Sequence, residues 1–221
     1  MKVFQIGAAG GVGRRLSALL VARGVEVTGM HRAAPQAETI AAQGAVPVAG
    51  DLVGDGVDDL ARLLAGHDAV VFSAGAHGTG REATTAIDGE GLVKAATAAQ
   101  RAGVPRFVLV SVFPEAGRGG AAGEDFEHYV RTKKDADAFL TGTDLDWLVV
   151  RPGTLLDTPG TGRVDARAAL TYGDVPRDDV AAFIDAALAE PRLTRTVVEL
   201  TGGPTPVADA VAALLPRAAR G

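Results

Sequence analysis

The stretch MKVFQIGAAGGVGRRL, residues 1–16, decides the fold predicted for this chain. Its mostly apolar residues 3–6 (VFQI) are typical of a buried strand, and that strand ends on Gly7. Gly10 and Gly13 follow at steps of three, and a helical pattern begins between them. In such a turn, one glycine allows the sharp bend, one lets the backbone approach a diphosphate, and one lets the helix pack closely on the strand. The helix N-terminus, with its free N–H groups and partial positive charge, would face that diphosphate.

Strand-like and helix-like segments alternate along the chain. Predicted strands cover residues 3–6, 25–30, 46–49, 69–72, 106–111, 147–150 and 196–200. Predicted helices cover residues 12–23, 35–43, 57–64, 89–101, 125–140, 180–189 and 206–215. This order predicts an α/β fold, a Rossmann doubly wound parallel sheet of six to seven strands with helices on both faces. We expect a single domain over residues 1–221, with a cofactor-binding core at 1–150 and a small C-terminal substrate lobe at 151–221.

Composition excludes several classes of function. The 221 residues include no cysteine, which excludes disulfides, thiolate catalysis and cysteine metal sites. The histidines have no metal-ligand spacing, so we expect no metal site. They are His31, His67, His77 and His128. A net charge of −5 gives no general attraction to nucleic acid or membranes. Without a leader-like or bilayer-spanning apolar run, the sequence predicts a cytoplasmic protein.

Tyr129 and Lys133 form the candidate catalytic pair. Their spacing of four places both side chains on one face of the predicted helix. A neighbouring ammonium favours the phenolate, so we expect Lys133 to lower the Tyr129 pKa and to suit it for proton exchange with a carbonyl oxygen. The same lysine is a candidate for hydrogen bonding to a nicotinamide ribose. Ser111 ends a predicted strand and is a candidate for orienting the substrate oxygen. The plainer interpretations are a surface tyrosine and a hydroxyl that ties down a loop.

The end of the second predicted strand bears on the choice of cofactor. An NAD site usually has a carboxylate about twenty residues after the glycines, and residues 27–32 (VTGMHR) contain none. Arg32 is present instead, and a guanidinium suits the 2′-phosphate of NADP(H). NADP(H) is therefore the preferred cofactor, with NAD(H) as the alternative if Arg32 is merely solvated. Asp51 either accepts a hydrogen bond from the adenine amino group or caps the next helix.

Loops that follow the predicted strands should meet at one edge of the sheet. Ser73, Ala74 and Gly75 are small enough for backbone to lie against a cofactor, although a tight turn needs the same residues. Residues 114–123 and 151–162 are rich in glycine, proline or threonine. They are interpreted as substrate-side loops, one of them a candidate lid, or else as plain surface linkers.

Seven segments together resemble the atypical short-chain dehydrogenase/reductases, and most of all their small NAD(P)-binding group named as sugar epimerase or NAD-dependent epimerase/dehydratase. The segments are GAAGGVGRRL at 7–16, GDL at 50–52, SAGA at 73–76, LVSV at 109–112, YVRTK at 129–133, DWLVVRPGTLLDTPGTGRV at 146–164 and VPRDDVAAFI at 175–184. The resemblance implies a Rossmann fold and the catalytic residues Ser111, Tyr129 and Lys133. The candidate cofactor-binding set comprises Gly7, Ala9, Gly10, Gly11, Val12, Gly13, His31, Arg32, Asp51, Leu52, Ser73, Ala74, Gly75, Lys133, Arg151, Pro152 and Gly153.

These features favour an NADP(H)-dependent oxidoreductase that acts on a small carbonyl, quinone or flavin-like acceptor. Two alternatives stay open: an NADP(H)-sensing regulatory protein without turnover, and an epimerase or dehydratase with tightly held NAD(P). The chain is shorter than true sugar-nucleotide epimerases, which leaves little room for a nucleotide sugar. We expect a small-molecule substrate, no nucleic-acid or membrane partner, and a monomer or homodimer.

Overall fold

A mostly parallel sheet of nine strands runs through the computed structural model, which describes residues 1–76, 78–113 and 123–216. The strands are β1 (Lys2–Ile6), β2 (Glu26–His31), β3 (Val46–Ala49), β4 (Ala69–Phe72), β5 (Arg106–Val110), β6 (Asp146–Pro152), β7 (Thr154–Leu156), β8 (Arg163–Arg167), β9 (Asp174–Pro176), β10 (Thr196–Gly202) and β11 (Thr205–Pro206). The order across the large sheet is β11-β8-β10-β6-β5-β4-β1-β2-β3. β8 pairs antiparallel with β10 and β11, whereas β7 and β9 pair with each other outside this sheet.

Helices cover both faces of the sheet. They are α1 (Gly11–Ala22), α2 (Ala34–Ala41), α3 (Val57–Leu64), α4 (Arg81–Ala83), α5 (Gly91–Ala102), α6 (Glu124–Thr141), α7 (Arg177–Leu188) and α8 (Val207–Ala213), and a π-helix (Thr84–Glu90) joins α4 to α5. α1 packs on α7 over one face, and α3 packs on α5 over the other. Within the described ranges, no helix combines the length and the apolar character that a membrane crossing requires.

Alternate side chains of the central strands enter two separate cores. In β1, Val3 belongs to the core under α1 and α7, while Phe4 belongs to the core under α3 and α5. In β5, Val108 and Phe107 divide in the same way. A strand that is buried on both faces needs apolar residues at successive positions, which explains the continuous apolar runs in the sequence.

The Rossmann fold predicted from the sequence is confirmed, but the prediction of six to seven strands is wrong. The unpredicted strands β7, β8, β9 and β11 have two to five residues each, too few to show a clear periodic pattern. The π-helix and α4 were also not predicted. The division of the chain proposed at residue 150 falls inside β6, and β8, β10 and β11 extend the same sheet beyond it.

The strand order reverses at β1, which lies between β2 and β4. Chain segments that leave the carboxyl ends of β1 and β4 diverge there and open a crevice, the usual ligand position in a doubly wound sheet. The glycine turn lies at this point because it follows β1 directly.

Candidate active site

The glycine turn after β1 is shaped by its own contacts. Gly7 has a φ of +93°, in the region that favours glycine, and a Cβ there would lie 2.5 Å from the Ala74 amide nitrogen. Gly13 packs against the Gly7 carbonyl and has no room for a side chain. The Gly10 N–H donates to the Gly7 carbonyl at 3.0 Å, and Gly10 caps α1 without a side chain. The first amides of α1 are therefore left to face the sheet edge, as a diphosphate site requires.

A cavity of about 340 Å³, the first cavity, lies between this turn and the ends of β2, β3 and β4. Much of the predicted cofactor-binding set meets there. The members of that set that line the first cavity are Gly7, Ala9, Gly10, His31, Arg32, Asp51, Leu52, Ser73, Ala74 and Gly75. Residues that are widely spaced in the sequence thus form one surface at the carboxyl edge of the sheet.

Polar and cationic groups lie where the 2′-phosphate is predicted. Arg32 is exposed, and its backbone N–H donates to Gln36 Oε1 at 2.9 Å. His31 Nδ1 is buried and has no hydrogen-bond partner in the described part of the chain. The described lining of this cavity includes one carboxylate, Asp51, which comes from the loop after β3 and not from the end of β2. The first cavity therefore suits an anionic group near Arg32.

Asp51 does not cap the helix that follows it. The N-cap of α3 is Gly56, whose N–H donates to Asp59 Oδ2 at 3.1 Å. Asp51 instead accepts the Val53 N–H at 3.0 Å and donates its own N–H to Asp55 Oδ2 at 2.7 Å. The capping interpretation is therefore wrong. The adenine contact stays a prediction that fits the position of Asp51 in the first cavity.

A second cavity of about 430 Å³ adjoins the first and shares residues 73–75 with it. It is lined by all three candidate catalytic residues, Ser111, Tyr129 and Lys133. Gly11 and Val12 line it on the side of the glycine turn. The two cavities form one groove across the sheet edge, with Arg32 at one end, the turn in the middle and Tyr129 at the other end.

Lys133 is held by a carboxylate that the sequence analysis missed. Its Nζ lies 2.9 Å from Asp88 Oδ1, and the two side chains are 4% and 0% exposed. Lys133 Nζ also donates to the Val110 carbonyl at 3.3 Å, and Asp88 Oδ2 accepts the Ala76 N–H at 2.9 Å. Asp88 belongs to the π-helix, a type of helix that is frequent at functional sites. No periodic signal in the sequence marks it, because its role depends on a segment that was not predicted to be helical.

The structure corrects the expected electrostatics of Tyr129. Burial raises the pKa of the Tyr129 phenol above its ordinary value, and this effect outweighs the lowering by Lys133. The carboxylates of Asp88 and Asp137 raise the pKa further. The phenol is therefore held in its protonated form at neutral pH.

Ser111 and Asp137 lie together beneath the second cavity. Ser111 Oγ and Asp137 Oδ1 are both buried. Burial raises the pKa of the Asp137 carboxyl, while the Ser111 hydroxyl and the Arg151 guanidinium oppose that rise. Arg151 Nε donates to Asp137 Oδ2 at 2.9 Å. Ser111 thus places its hydroxyl between the second cavity and the Asp137 carboxyl.

Four predicted cofactor residues lie outside both cavities. Arg151 and Pro152 belong to β6, and Arg151 is engaged by Asp137. Gly153 packs against the Gly173 carbonyl, which explains the glycine without a ligand. Gly13 does not line either cavity and supports the turn from behind.

The loop that follows β7 is fixed by α7. Asp179, which is 1% exposed, accepts the Thr161 N–H at 2.9 Å and the Gly162 N–H at 2.8 Å. The neighbouring Asp178 accepts the Gly160 N–H at 2.9 Å. These bonds do not favour the lid interpretation of residues 151–162. Of the other proposed loop, residues 114–122 lie outside the described residues, and Gly123 is the N-cap of α6.

Arg177 is a second residue that the sequence analysis did not assign, although its segment was among those that carried the resemblance. It lines the second cavity, and its side chain lies over Gly11. The pattern VPRDDVAAFI indicated a helix start but gave no reason to connect Arg177 with residue 11.

Comparisons with known proteins agree with this geometry. A family model described as NAD(P)H-binding matches residues 7–191. The uncharacterized sugar epimerase YhfK of Bacillus subtilis is 37% identical over 213 residues, which cover 96% of this chain and 99% of the relative. A solved structure from Bacillus halodurans, named as an NAD-dependent epimerase/dehydratase, has a TM-score of 0.88 at 31% identity and covers 96% of this chain and 99% of that one. ChuY, an anaerobillin reductase of Escherichia coli O157:H7, has a TM-score of 0.76 at 27% identity, with coverage of 93% and 100%.

Proposed function

Because the chain belongs to the NAD(P)H-binding family, we propose that it is an NADP(H)-dependent oxidoreductase that reduces a small carbonyl, quinone or flavin-like acceptor. The resemblance predicted from the sequence motifs is confirmed by the relatives. The observation that carries the proposal is the groove itself, which leads from Arg32 over the glycine turn to Ser111, Tyr129 and Lys133. A reductase needs this order of parts: a dinucleotide site that ends beside a proton donor.

The residues of the groove fit a dinucleotide. Gly7 brings the turn close to Ser73 and Ala74, Gly13 packs behind it, and the amides of α1 are left for a diphosphate. The first cavity would hold the adenosine part, with Asp51 and Leu52 at the adenine. The second cavity would hold the nicotinamide part and the acceptor.

The cationic rim of the first cavity supports NADP(H) as the cofactor. Arg32 can bind a 2′-phosphate, and Gln36 and His31 add polar groups beside it. An NAD site would place a carboxylate at the end of β2, where this chain has His31 and Arg32. NAD(H) is the alternative, since Asp51 lies in the same cavity.

The catalytic residues have distinct tasks. A reduced nicotinamide, when bound, supplies a hydride to the acceptor. Tyr129 holds the proton that the acceptor oxygen takes up, and its raised pKa keeps that proton in place. Ser111, whose hydroxyl lies at the second cavity, can donate a hydrogen bond to the same oxygen. Lys133, fixed by Asp88, contributes a positive charge beside the phenol.

The test is oxidation of NADPH with a panel of carbonyls, quinones and flavins. Tyr129→Phe should lower turnover by about a hundred-fold or more, because general acid catalysis contributes at least that much. The matched control is Tyr172→Phe, since the Tyr172 hydroxyl bonds to Thr154 Oγ1 at 2.8 Å and lines neither cavity. We expect the control to keep its turnover. Unchanged turnover in Tyr129→Phe would show that the role assigned to Tyr129 is wrong.

An epimerase or dehydratase with tightly held NAD(P) is the second candidate, and the names of two relatives favour it. It predicts that NAD(P) copurifies with the protein and is not consumed during turnover. A regulatory protein that senses NADP(H) predicts binding of the cofactor with no turnover of any acceptor. Mass spectrometry of the purified protein, together with the acceptor panel, separates these outcomes. The cytoplasmic location, the small-molecule substrate and the monomeric or homodimeric state stay predictions.

A further inference from the structure

The N-terminus of α7 lies beside the N-terminus of α1. α7 follows β9 and leads into β10, and it packs against α1 over one face of the sheet. Arg177 is the first residue of α7, and its side chain, which is 23% exposed, borders the second cavity. The C-terminal part of the chain thereby places a guanidinium at the glycine turn.

The Arg177 side chain occupies the space beside Gly11. A Cβ on Gly11 would lie 2.8 Å from both Cδ and Nε of Arg177. Gly11 begins α1 in a helical conformation, so the backbone does not demand a glycine at this position. A Cβ at this position would instead displace the end of the Arg177 side chain. The guanidinium therefore lies against the first turn of α1, whose amides are free to bind an anion.

The present acidic partner of Arg177 is weakly held. Arg177 Nη1 donates to the Leu155 carbonyl at 3.0 Å and lies 2.9 Å from Asp157 Oδ2. Asp157 is 70% exposed, and its Oδ1 lies 3.5 Å from Arg15 Nη2. Exposed ion pairs contribute little to stability, whereas a phosphate offers a guanidinium two oxygens and more charge. An anionic ligand at the turn can therefore replace Asp157.

The other cationic side chain among the described lining residues of the second cavity has a buried partner. Lys133 is paired with the buried carboxylate of Asp88. Among the described lining residues, Arg177 is thus the cation whose acidic partner is exposed to solvent.

We propose that Arg177 binds the diphosphate of the cofactor and that Asp157 is the counterion it exchanges for the phosphate oxygens. This inference rests on the proposed function. Asp157 then contacts only Arg15 and solvent. No covalent bond is formed or broken in this exchange. The diphosphate would be held from two sides, by the amides of α1 and by a side chain from α7.

The experiment is calorimetric titration of the full chain with NADPH and with NADH. Both cofactors carry the same diphosphate, so Arg177→Ala should raise both dissociation constants by the same factor, about 10- to 100-fold. Arg177→Lys should lose less affinity, because lysine keeps the positive charge but lacks the planar guanidinium that can donate two parallel hydrogen bonds. The matched control is Arg23→Ala, which removes the Arg23–Asp185 pair (2.8 Å) at the opposite end of the same two helices. It should leave both dissociation constants unchanged.

A second variant, at Asp157, should change the affinity for the cofactors in the opposite direction. Asp157→Asn removes the competing carboxylate and should tighten the binding of both cofactors by about 2- to 5-fold. Asp178→Asn removes a carboxylate of the same cluster that pairs with Arg15, and it should leave the affinities unchanged. A gain in affinity cannot result from misfolding, so this pair keeps the inference testable even if Arg177→Ala does not fold.

The outcomes separate this inference from the proposed function. If the wild-type protein binds neither cofactor, the proposed function is wrong. If the wild type binds but Arg177→Ala binds equally well or more tightly, the guanidinium only packs on Gly11 and the inference is wrong. The proposed replacement of Asp157 by phosphate oxygens is also wrong if Asp157→Asn gains no more affinity for the cofactors than Asp178→Asn.

Discussion

Lys133 Nζ lies 2.9 Å from Asp88 Oδ1 inside the protein, so the charge expected to act on Tyr129 is shared with a buried carboxylate. Burial of the phenol then determines the direction of its pKa shift, which is upward. A phenol that keeps its proton is a donor and not a base. At the scale of single residues, the second cavity therefore presents a proton donor at neutral pH.

This electrostatic arrangement predicts the pH dependence of turnover. The protonated form of Tyr129 is active in reduction and is lost as the pH rises through the Tyr129 pKa, which lies above the ordinary phenol value of about 10. NADPH-dependent turnover should therefore show no alkaline fall between about pH 7 and pH 9 that is due to Tyr129. The measurement is kcat/KM across this range, with circular dichroism at each pH to show that the protein stays folded. An inflection in this interval that disappears in Tyr129→Phe would contradict the raised pKa.

At the scale of elements, α7 fixes the loop that carries Asp157. Asp179, buried near the N-terminus of α7, accepts two backbone N–H groups and the Thr161 hydroxyl, the last at 2.9 Å. Three hydrogen bonds to one carboxylate explain why a segment rich in glycine and threonine has a defined shape. The same bonds hold residues 160–162 beside the helix that places Arg177.

Asp179→Asn should therefore destabilise the protein. The amide cannot accept all three hydrogen bonds, and we expect the free energy of unfolding to fall by about 2–4 kcal/mol. Urea denaturation monitored by circular dichroism measures the change. Asp178→Asn is the matched control, because Asp178 is 42% exposed and its pair with Arg15 should contribute only about 0–1 kcal/mol. Equal losses in the two variants would contradict the role given to Asp179.

The elements that the sequence predicts well are those with apolar residues at regular spacing. Residues 69–72 are all buried, and the predicted and observed strands there are the same. β11 has two residues and β7 has three, so their pairing depends on partners that are distant in sequence. The π-helix forms hydrogen bonds between residues five apart instead of four, which no helical template with a 3.6-residue period reproduces.

At the scale of the whole molecule, the same distinction applies to the groove. The glycine turn and the pair Tyr129 and Lys133 are local patterns, and the fold brings them to one sheet edge. Asp88 and Arg177 act through contacts with residues 45 and 166 positions away, which follow from the packing of helices and not from any spacing in the chain. A single sequence therefore indicates the groove but not the charges that control it.

The groove joins distant parts of the chain, so cofactor binding should stabilise the folded molecule as a whole. A ligand at 100 times its dissociation constant adds about 2.7 kcal/mol to the free energy of unfolding. For a domain of this size, that corresponds to a rise in the melting temperature of roughly 5–10 °C. Because Arg32 should bind the 2′-phosphate, NADPH should raise the melting temperature more than NADH at equal concentration.

Arg32→Gln should abolish this difference, because both cofactors then lack a cationic partner at the adenosine ribose. The measurement is thermal unfolding followed by circular dichroism, with and without each cofactor. Arg62→Gln is the matched control, since Arg62 is an exposed arginine that pairs with Asp59 on α3 and lines neither cavity. It should keep the wild-type preference for NADPH. Equal stabilisation of the wild type by NADPH and NADH would show that Arg32 is merely solvated and would favour a site that does not distinguish the two cofactors.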